Sequence, residues 1–378
     1  MTVAVSPTRF AIEVYRERLG RAAREAAARD VDALLITPST DYAYLLGYRA
    51  PALERLTCLI VPSAAQPSLV VPHLEEPLAR HELGALADEL TIVPWDDTED
   101  PFWVVRDLLE AGAMRVAVQD QMWARFVLRL RAALDPVELV EAGPSLAALR
   151  SIKSTHELAR LRAAAHAADE AMDRIREERL SGRTEREVSA RIRELLLAAG
   201  HESADFAIVG SGPNSASPHH EADDRVISDG DAVVLDIGGF LDGYGSDTTR
   251  TVFVGKPPSQ FASLYAVLRE AQLAACAAIA PGVPAQEVDR VARTLIAAAG
   301  FGASFIHRTG HGIGMETHEE PYVVEGNGEP LEPGHAFSVE PGIYIAGQWG
   351  ARIEDIAICT PDGGEILNQS NHDLVIVE

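Results

Sequence analysis

Asp236, Asp247, His311, Glu340 and Glu354 follow one another through the second half of the chain. Each lies in a glycine-punctuated phrase that reads as strand or turn: VVLDIGG, GSDTTRT, HRTGHGIGMETHE, SVEPGIY and ARIED. Four carboxylates and one imidazole make a hard, oxygen-rich donor set. Such a set suits two divalent ions that share bridging carboxylates better than a single zinc, which favours nitrogen and sulfur ligands. Two metals bridged by a water generate hydroxide at neutral pH and polarise a carbonyl, the equipment of amide hydrolysis.

The local pattern says how these residues are brought together. Asp242-Gly243 is a strong two-residue hairpin signal between two apolar runs. With that turn, Asp236 faces Thr249 and Gly238 faces Asp247, so the two aspartates become diagonal neighbours on one face. Gly238 and Gly239 are expected to leave room above the sheet. A loop centred on Gly347 would set Glu340 opposite Glu354, with Arg352 on the same face to hold a carboxylate in orientation. His307, His311 and His318 are spaced as if on a helix, but Gly310, Gly312 and Gly314 argue for strand or loop. One of these histidines is then expected on the metal and another at the substrate. In Pro218-His219-His220, an imidazole can hydrogen-bond the scissile carbonyl or its oxyanion.

The elements that must position these groups fall into two domains, residues 1–148 and 149–378. In the first, a helix is expected over 9–29, with Phe10, Val14 and Leu19 on one side. Strands follow at 33–37, 56–61, 69–71 and 115–118, with helices near 101–111 and 122–134. This alternation indicates an α/β domain. Ser154–Glu157 and Thr184–Glu187 have the form of capping boxes that open helices running to about 178 and 199. Two more helices are expected over 258–280 and 284–299. The second domain therefore reads as α+β, paired helices covering a curved, mostly antiparallel sheet whose other face holds the metals. No internal repeat is evident in the letters.

Composition narrows the function. With 57 acidic against 33 basic residues and a formal charge of −24, the surface repels nucleic acid and anionic membrane. Cys58, Cys276 and Cys359 are scattered and form no C-x-x-C pair, which fits a reducing compartment and, for Cys276, a buried inert thiol. No signal peptide is evident in the first residues, nor any apolar run of membrane-spanning length, so a soluble cytoplasmic protein is expected.

Taken in order, the phrases DIGG, SDTTRT, HGIGMETHE, EPGIY and RIED, with PHH upstream, resemble the metal-dependent pita-bread peptidases, the family of methionine aminopeptidase, aminopeptidase P and prolidase. The helix IKSTHELARLR and the large domain before it are similar to the prolidase/aminopeptidase P branch. The resemblance implies a pita-bread catalytic domain behind a smaller creatinase-type α/β domain. It also implies hydrolysis of Xaa-Pro bonds, most closely by an Xaa-Pro dipeptidase, and a homodimer. The implied cofactor is two divalent ions per chain, Mn²⁺ first and Co²⁺, Fe²⁺ or Zn²⁺ behind it.

Residue by residue, the resemblance gives Asp236 to one metal and makes Asp247 and Glu354 bridges. His311 and Glu340 complete the other metal, Glu340 also accepting the proton of the attacking water. His219 would contact the substrate carbonyl and His318 the intermediate, with Arg352 behind the ligands and Tyr244 hydrogen-bonding near Asp247. The 17-residue spacing to Asp236 favours His219, while the adjacent His220 leaves that choice open. An Xaa-Pro aminopeptidase acting on longer peptides and a creatinase-type small-molecule hydrolase are the alternatives.

Overall fold

The computed structural model describes residues 8–109 and 111–378. The reading of the first seven residues lies outside it, as does Glu110, at the end of the helix expected over 101–111. The chain divides into two compact units, Arg9–Arg150 and Ser151–Glu378.

The first unit is a mixed sheet with helices. Its strands are β1 (Ala33–Ile36), β2 (Cys58–Pro62), β3 (Ser68–Pro72), β4 (Thr91–Trp95), β5 (Arg115–Val118) and β6 (Glu138–Glu141), in the order β4-β3-β2-β1-β5-β6. Around them run α1 (Ile12–Ala28), α2 (Thr40–Leu46), α3 (Glu76–Leu83), α4 (Pro101–Leu108), α5 (Ala124–Leu134) and α6 (Gly143–Arg150). The central strands are buried on both faces, as their unbroken apolar runs demand. The buried face of α1 is Tyr15, Leu19, Ala22 and Ala26; Val14 is only half-buried and Phe10 precedes the helix.

The second unit repeats one plan twice without leaving a repeat in the letters. Helices α7 (Thr155–Glu177) and α8 (Glu185–Ala198) cover β7 (Ser203–Ser211), β8 (Ala232–Leu241) and β9 (Tyr244–Val254). Helices α9 (Ser259–Ala277) and α10 (Ala285–Ala298) cover a second core. It is built with β10 (Gly310–Gly312), β11 (Glu319–Val323), β12 (Ala336–Val339), β13 (Gly342–Ile345), β14 (Trp349–Arg352), β15 (Asp355–Thr360) and β16 (Gly363–Ile366). A last strand, β17 (Val375–Val377), pairs in parallel with β9. The sheets are ordered β17-β9-β8-β7 and β11-β10-β12-β15-β16, with β13-β14 a separate ribbon.

Local chemistry starts both helices of the first pair. Ser154 Oγ accepts from the Glu157 amide while the Glu157 carboxylate accepts from the Ser154 amide, and Thr184 and Glu187 repeat the exchange. At each sheet the helices take the apolar face and leave the opposite face free for polar groups. Among the described residues no helix is long and apolar enough to cross a membrane. All three cysteines are free and buried, and burial pushes the Cys58 thiol up to about 12.

Candidate metal centre and active site

The β8–β9 hairpin turns at Asp242-Gly243, both left-handed with φ of 49° and 80°, which matches the twist of the flanking strands. Its register pairs Asp236 with Thr249 and Gly238 with Asp247. The two aspartates are thus diagonal neighbours on one buried face. Gly238 does not leave open space: a Cβ there would come within 2.2 Å of the Phe206 ring and 2.3 Å of Ser246 O. Its role is to admit that ring and that carbonyl.

A second, discontinuous hairpin carries the glutamates. Val339 pairs with Asp355 at one end and Gly342 with Arg352 at the other, so Glu340 and Glu354 stand opposite each other in the gap. The backbone of each leaves the hairpin there: the Glu340 amide donates to Thr309 O and the Glu354 amide to Thr249 O. The Thr249 hydroxyl donates to Glu354 Oε2 at 2.7 Å, and Ser338 Oγ donates to Glu340 Oε1 at 3.1 Å. Neither hydroxyl was singled out from sequence.

His311 lies in β10, its amide donating to Ser338 Oγ and its Nδ1 placed 3.1 Å from Gly312 O. With Nδ1 carrying the proton toward that carbonyl, Nε2 is left with a lone pair. It faces Glu340 Oε1 at 3.4 Å and Asp247 Oδ2 at 3.6 Å. An acceptor aimed at two carboxylates lacks only a cation. Burial holds this imidazole down to about 3, so it is neutral throughout the physiological range.

The carboxylates show the same deficit. Burial, then Glu354, Asp236 and Glu340, raise Asp247 well above the usual carboxylate range; burial, then Glu340 and Asp236, do the same to Glu354. Burial pushes Glu340 up to about 7. Asp236 Oδ2 accepts from Arg352 Nη2, but its buried Oδ1 has no partner. Asp247, His311 and Glu354 offer ligand atoms that all lie within 4.8 Å of one another, a group able to hold a metal ion. The hard donor set, the orphaned Oδ1 and the inward Nε2 all fit divalent cations.

Around these residues opens a cavity of about 510 Å³. All five acid and imidazole candidates line it, together with His219, His307, Arg308, Thr317, His318 and Arg352. An apolar wall is formed by Phe206, Ile208 and Pro218. The His318 ring lies 4.0 Å from that of His311. His219 faces the cavity, whereas its neighbour His220 places Nε2 2.6 Å from Glu185 Oε2. Glu185 also accepts from Ser211 and Asn214. The group Glu185, His220 and Asp223 is clustered closely enough to bind a metal, but donors already fill the Glu185 carboxylate. It anchors the loop that presents His219.

Two tyrosines exchange the place expected for one. Tyr244, three residues before Asp247 on β9, donates to Glu157 Oε1 at 2.9 Å instead of serving the aspartate. Tyr344, which sequence reading missed, accepts from Arg352 Nη1 at 2.8 Å and reaches His307 Nε2 at 3.0 Å. Its signal was positional: two residues after Gly342 on a strand, it lies over a glycine whose Cβ would meet its hydroxyl at 2.3 Å.

Residues 159–361 match metallopeptidase family M24, and residues 18–152 match the creatinase/prolidase N-terminal domain. The chain therefore belongs to the M24 metallopeptidases, with a pita-bread catalytic domain behind a creatinase-type domain. It is 46% identical over 371 residues to a probable dipeptidase PepE of Mycobacterium tuberculosis, covering 98% of both chains. It is 34% identical over 361 residues to an Xaa-Pro dipeptidase of Lactobacillus delbrueckii subsp. lactis, covering 92% of this chain and 95% of that protein. The crystal structure of dipeptidase PepE from Mycobacterium ulcerans superposes with a TM-score of 0.94 at 44% identity, covering 98% of this chain and 100% of that one.

Proposed function

We propose that this metallopeptidase hydrolyses Xaa-Pro dipeptides with two divalent ions, Mn²⁺ foremost, held by Asp236, Asp247, His311, Glu340 and Glu354. The observation that carries the reading is that these five residues line one cavity together with His219, His318 and the apolar Phe206, Ile208 and Pro218. Likeness to an Xaa-Pro dipeptidase over nearly the whole length supports the choice of substrate.

Bound divalent ions supply Lewis acidity for the scissile carbonyl and acidify a water toward neutral pH. The chain's own groups do the rest. Glu340, raised by burial and steadied by Ser338, holds the proton that hydrolysis transfers. Arg352 fixes Asp236, and Thr249 fixes Glu354, so the ligand oxygens keep their places. His318, kept below its usual range by burial and then by Arg308, is neutral and donates to the developing oxyanion alongside His219. The proline ring, which lacks an N–H and restricts its backbone, rests against Phe206, Ile208 and Pro218.

The direct test is mass spectrometry of products after Mn²⁺-loaded and chelator-treated protein meet Ala-Pro and Ala-Pro-Ala together. Metal-dependent loss of Ala-Pro alone is expected. Release of alanine from the tripeptide would make the enzyme an Xaa-Pro aminopeptidase, and no cleavage by metal-loaded protein would remove the Xaa-Pro reading.

A pH dependence accompanies it. Below about 7 the Glu340 carboxyl keeps its proton, and a cation must displace it. Mn²⁺ binding at about pH 6.5 is therefore expected to release protons, and affinity to rise with pH. Calorimetry in buffers of differing ionisation enthalpy reads this release. A binding heat independent of the buffer at that pH would exclude Glu340 as a ligand that titrates there.

A further inference from the structure

Asp289 lies wholly buried on α10, yet hydrolysis gives it no task. Its Oδ1 accepts from the Thr309 amide at 3.0 Å and from the Thr309 hydroxyl at 2.7 Å. Arg293, one helical turn later, donates to both carboxylate oxygens at 2.8 and 2.9 Å. The same guanidinium donates to Phe305 O at 3.1 Å and His307 O at 2.8 Å, and its Cζ lies 4.2 Å from the centre of the Phe305 ring. Among the described residues, the hydrogen bonds that this pair sends beyond its helix all end on one segment, 305–309.

That segment leads straight into two candidate metal ligands. Thr309 O accepts from the Glu340 amide at 2.7 Å. Two residues on, the His311 amide donates to Ser338 Oγ at 3.0 Å, and that hydroxyl donates to Glu340 Oε1 at 3.1 Å. Between them Gly310 is pressed against the neighbouring strand, where a Cβ would stand 1.8 Å from Ser338 O. His311 and Glu340 are therefore set against each other by backbone that starts at Thr309, and a shift of Thr309 moves both. The other half of the domain uses the same exchange. Glu185 Oε1 accepts from the Ser211 amide at 2.7 Å and the Ser211 hydroxyl at 2.6 Å, at the root of the loop that presents His219. On the second helix of each pair, a buried carboxylate thus grips the amide and hydroxyl of one residue ahead of a histidine-bearing segment.

We propose that Asp289 is a positioning residue for metal binding: through Thr309 it sets His311 and Glu340 at the spacing that one of the two divalent ions needs. This rests on the proposed ligand set, with His311 and Glu340 at one ion and Asp236 at the other. Ligands braced from behind lose little freedom when the ion binds, and removing such a brace costs about 10- to 100-fold in metal affinity.

The test is calorimetric titration of the metal-free full chain with Mn²⁺, read as two sites. In Asp289→Ala one site should weaken about 10- to 100-fold while the other stays within about 3-fold. Asp289→Asn should keep most of the affinity, because its amide carbonyl still accepts from Thr309 while half-buried Arg293 turns to water. Thr309→Val keeps the shape and drops the hydroxyl; it should weaken the same site by less, and it decides the matter if Asp289→Ala does not fold. Hydrogen exchange of chelated protein reads the clamp without metal: residues 305–311 should exchange faster in Asp289→Ala, with β8 and β9 unchanged. Two sites weakened alike, or neither weakened, overturns the proposal, as does unaltered exchange in 305–311. An Asn variant as weak as the Ala variant overturns it too, since charge rather than held position would then set the affinity. Fewer than two sites in the unaltered protein sinks the ligand set itself and this proposal with it, an outcome visible before any variant is made.

Discussion

The Asp247→Asn protein is expected to lose about 1,000-fold or more in kcat/KM, several kcal/mol of transition-state stabilisation, while its metal-free form becomes harder to unfold. Both effects come from one crowded carboxylate. Asp247 is buried beside Glu354, Asp236 and Glu340, and burial followed by these three charges holds its proton on well above the ordinary range. As pH rises above that range the unfolded chain ionises Asp247 while the folded, metal-free site keeps it protonated. Native protein then binds more protons than unfolded, so its stability falls with rising pH. Asn carries no such cost, and the gap in melting temperature between chelated Asn variant and chelated parent should widen from about pH 4 toward pH 8. Adding Mn²⁺ should reverse the order, because the parent gains a ligand and the variant has lost one. Glu354→Gln should behave alike, its carboxyl being raised by burial and the same neighbours. Wild-type turnover with metal still bound would refute the assignment. So would an Asn variant that melts lower than its parent when both are metal-free.

What could be read from the letters is what local rules decide. Both capping boxes were legible because their partners are three residues apart. The β8–β9 register was legible because Asp242-Gly243 fixes it, and the Glu340–Glu354 opposition because one turn organises the hairpin on both sides of its gap. Elements without a local signature escaped. Helix α2 is buried without a break over Tyr42–Leu46 and so shows no amphipathic period. Strand β4 contains Pro94, and β6 reads Glu-Leu-Val-Glu; both are sheet edges, where polar residues and proline are tolerated. In the site, the candidate carboxylates and imidazole showed in the phrases, but the groups that hold them did not. Thr249 meets Glu354 across 105 residues, Glu185 meets His220 across 35, and Tyr344 serves Arg352 from the neighbouring strand. Such pairings are made by tertiary packing and cross-strand neighbours, for which neither segment carries a signal by itself.

Arg250 is the largest fully buried side chain that sequence reading passed over, and Arg250→Met is expected to cost about 3–5 kcal/mol of stability. Its Nη2 donates to Asp355 Oδ1 at 2.7 Å and to Ser370 O at 2.8 Å, while Nη1 donates to Thr249 O and Glu354 O. Asp355 Oδ2 is held by Gln272 and His372, each at 2.7 Å. Burial pushes the Asp355 carboxyl up, but Arg250 and His372 outweigh it and leave the group below its usual range. Met fills the space of the stem and removes the charge, stranding a carboxylate that is wholly buried. Asp355→Leu alone strands the guanidinium instead. The double variant Arg250→Met with Asp355→Leu removes both charges and should recover a large part of the loss, since two apolar groups pack where an ion pair had to be desolvated. Urea unfolding of the four proteins gives the coupling. The same variants connect packing to chemistry, because Arg250 Nη1 holds the carbonyl of Glu354 itself. A recovered fold with weakened Mn²⁺ binding would show that the pair's main service is to aim Glu354. Single variants that lose less than about 1 kcal/mol would mean water reaches the pair and relieves its burial.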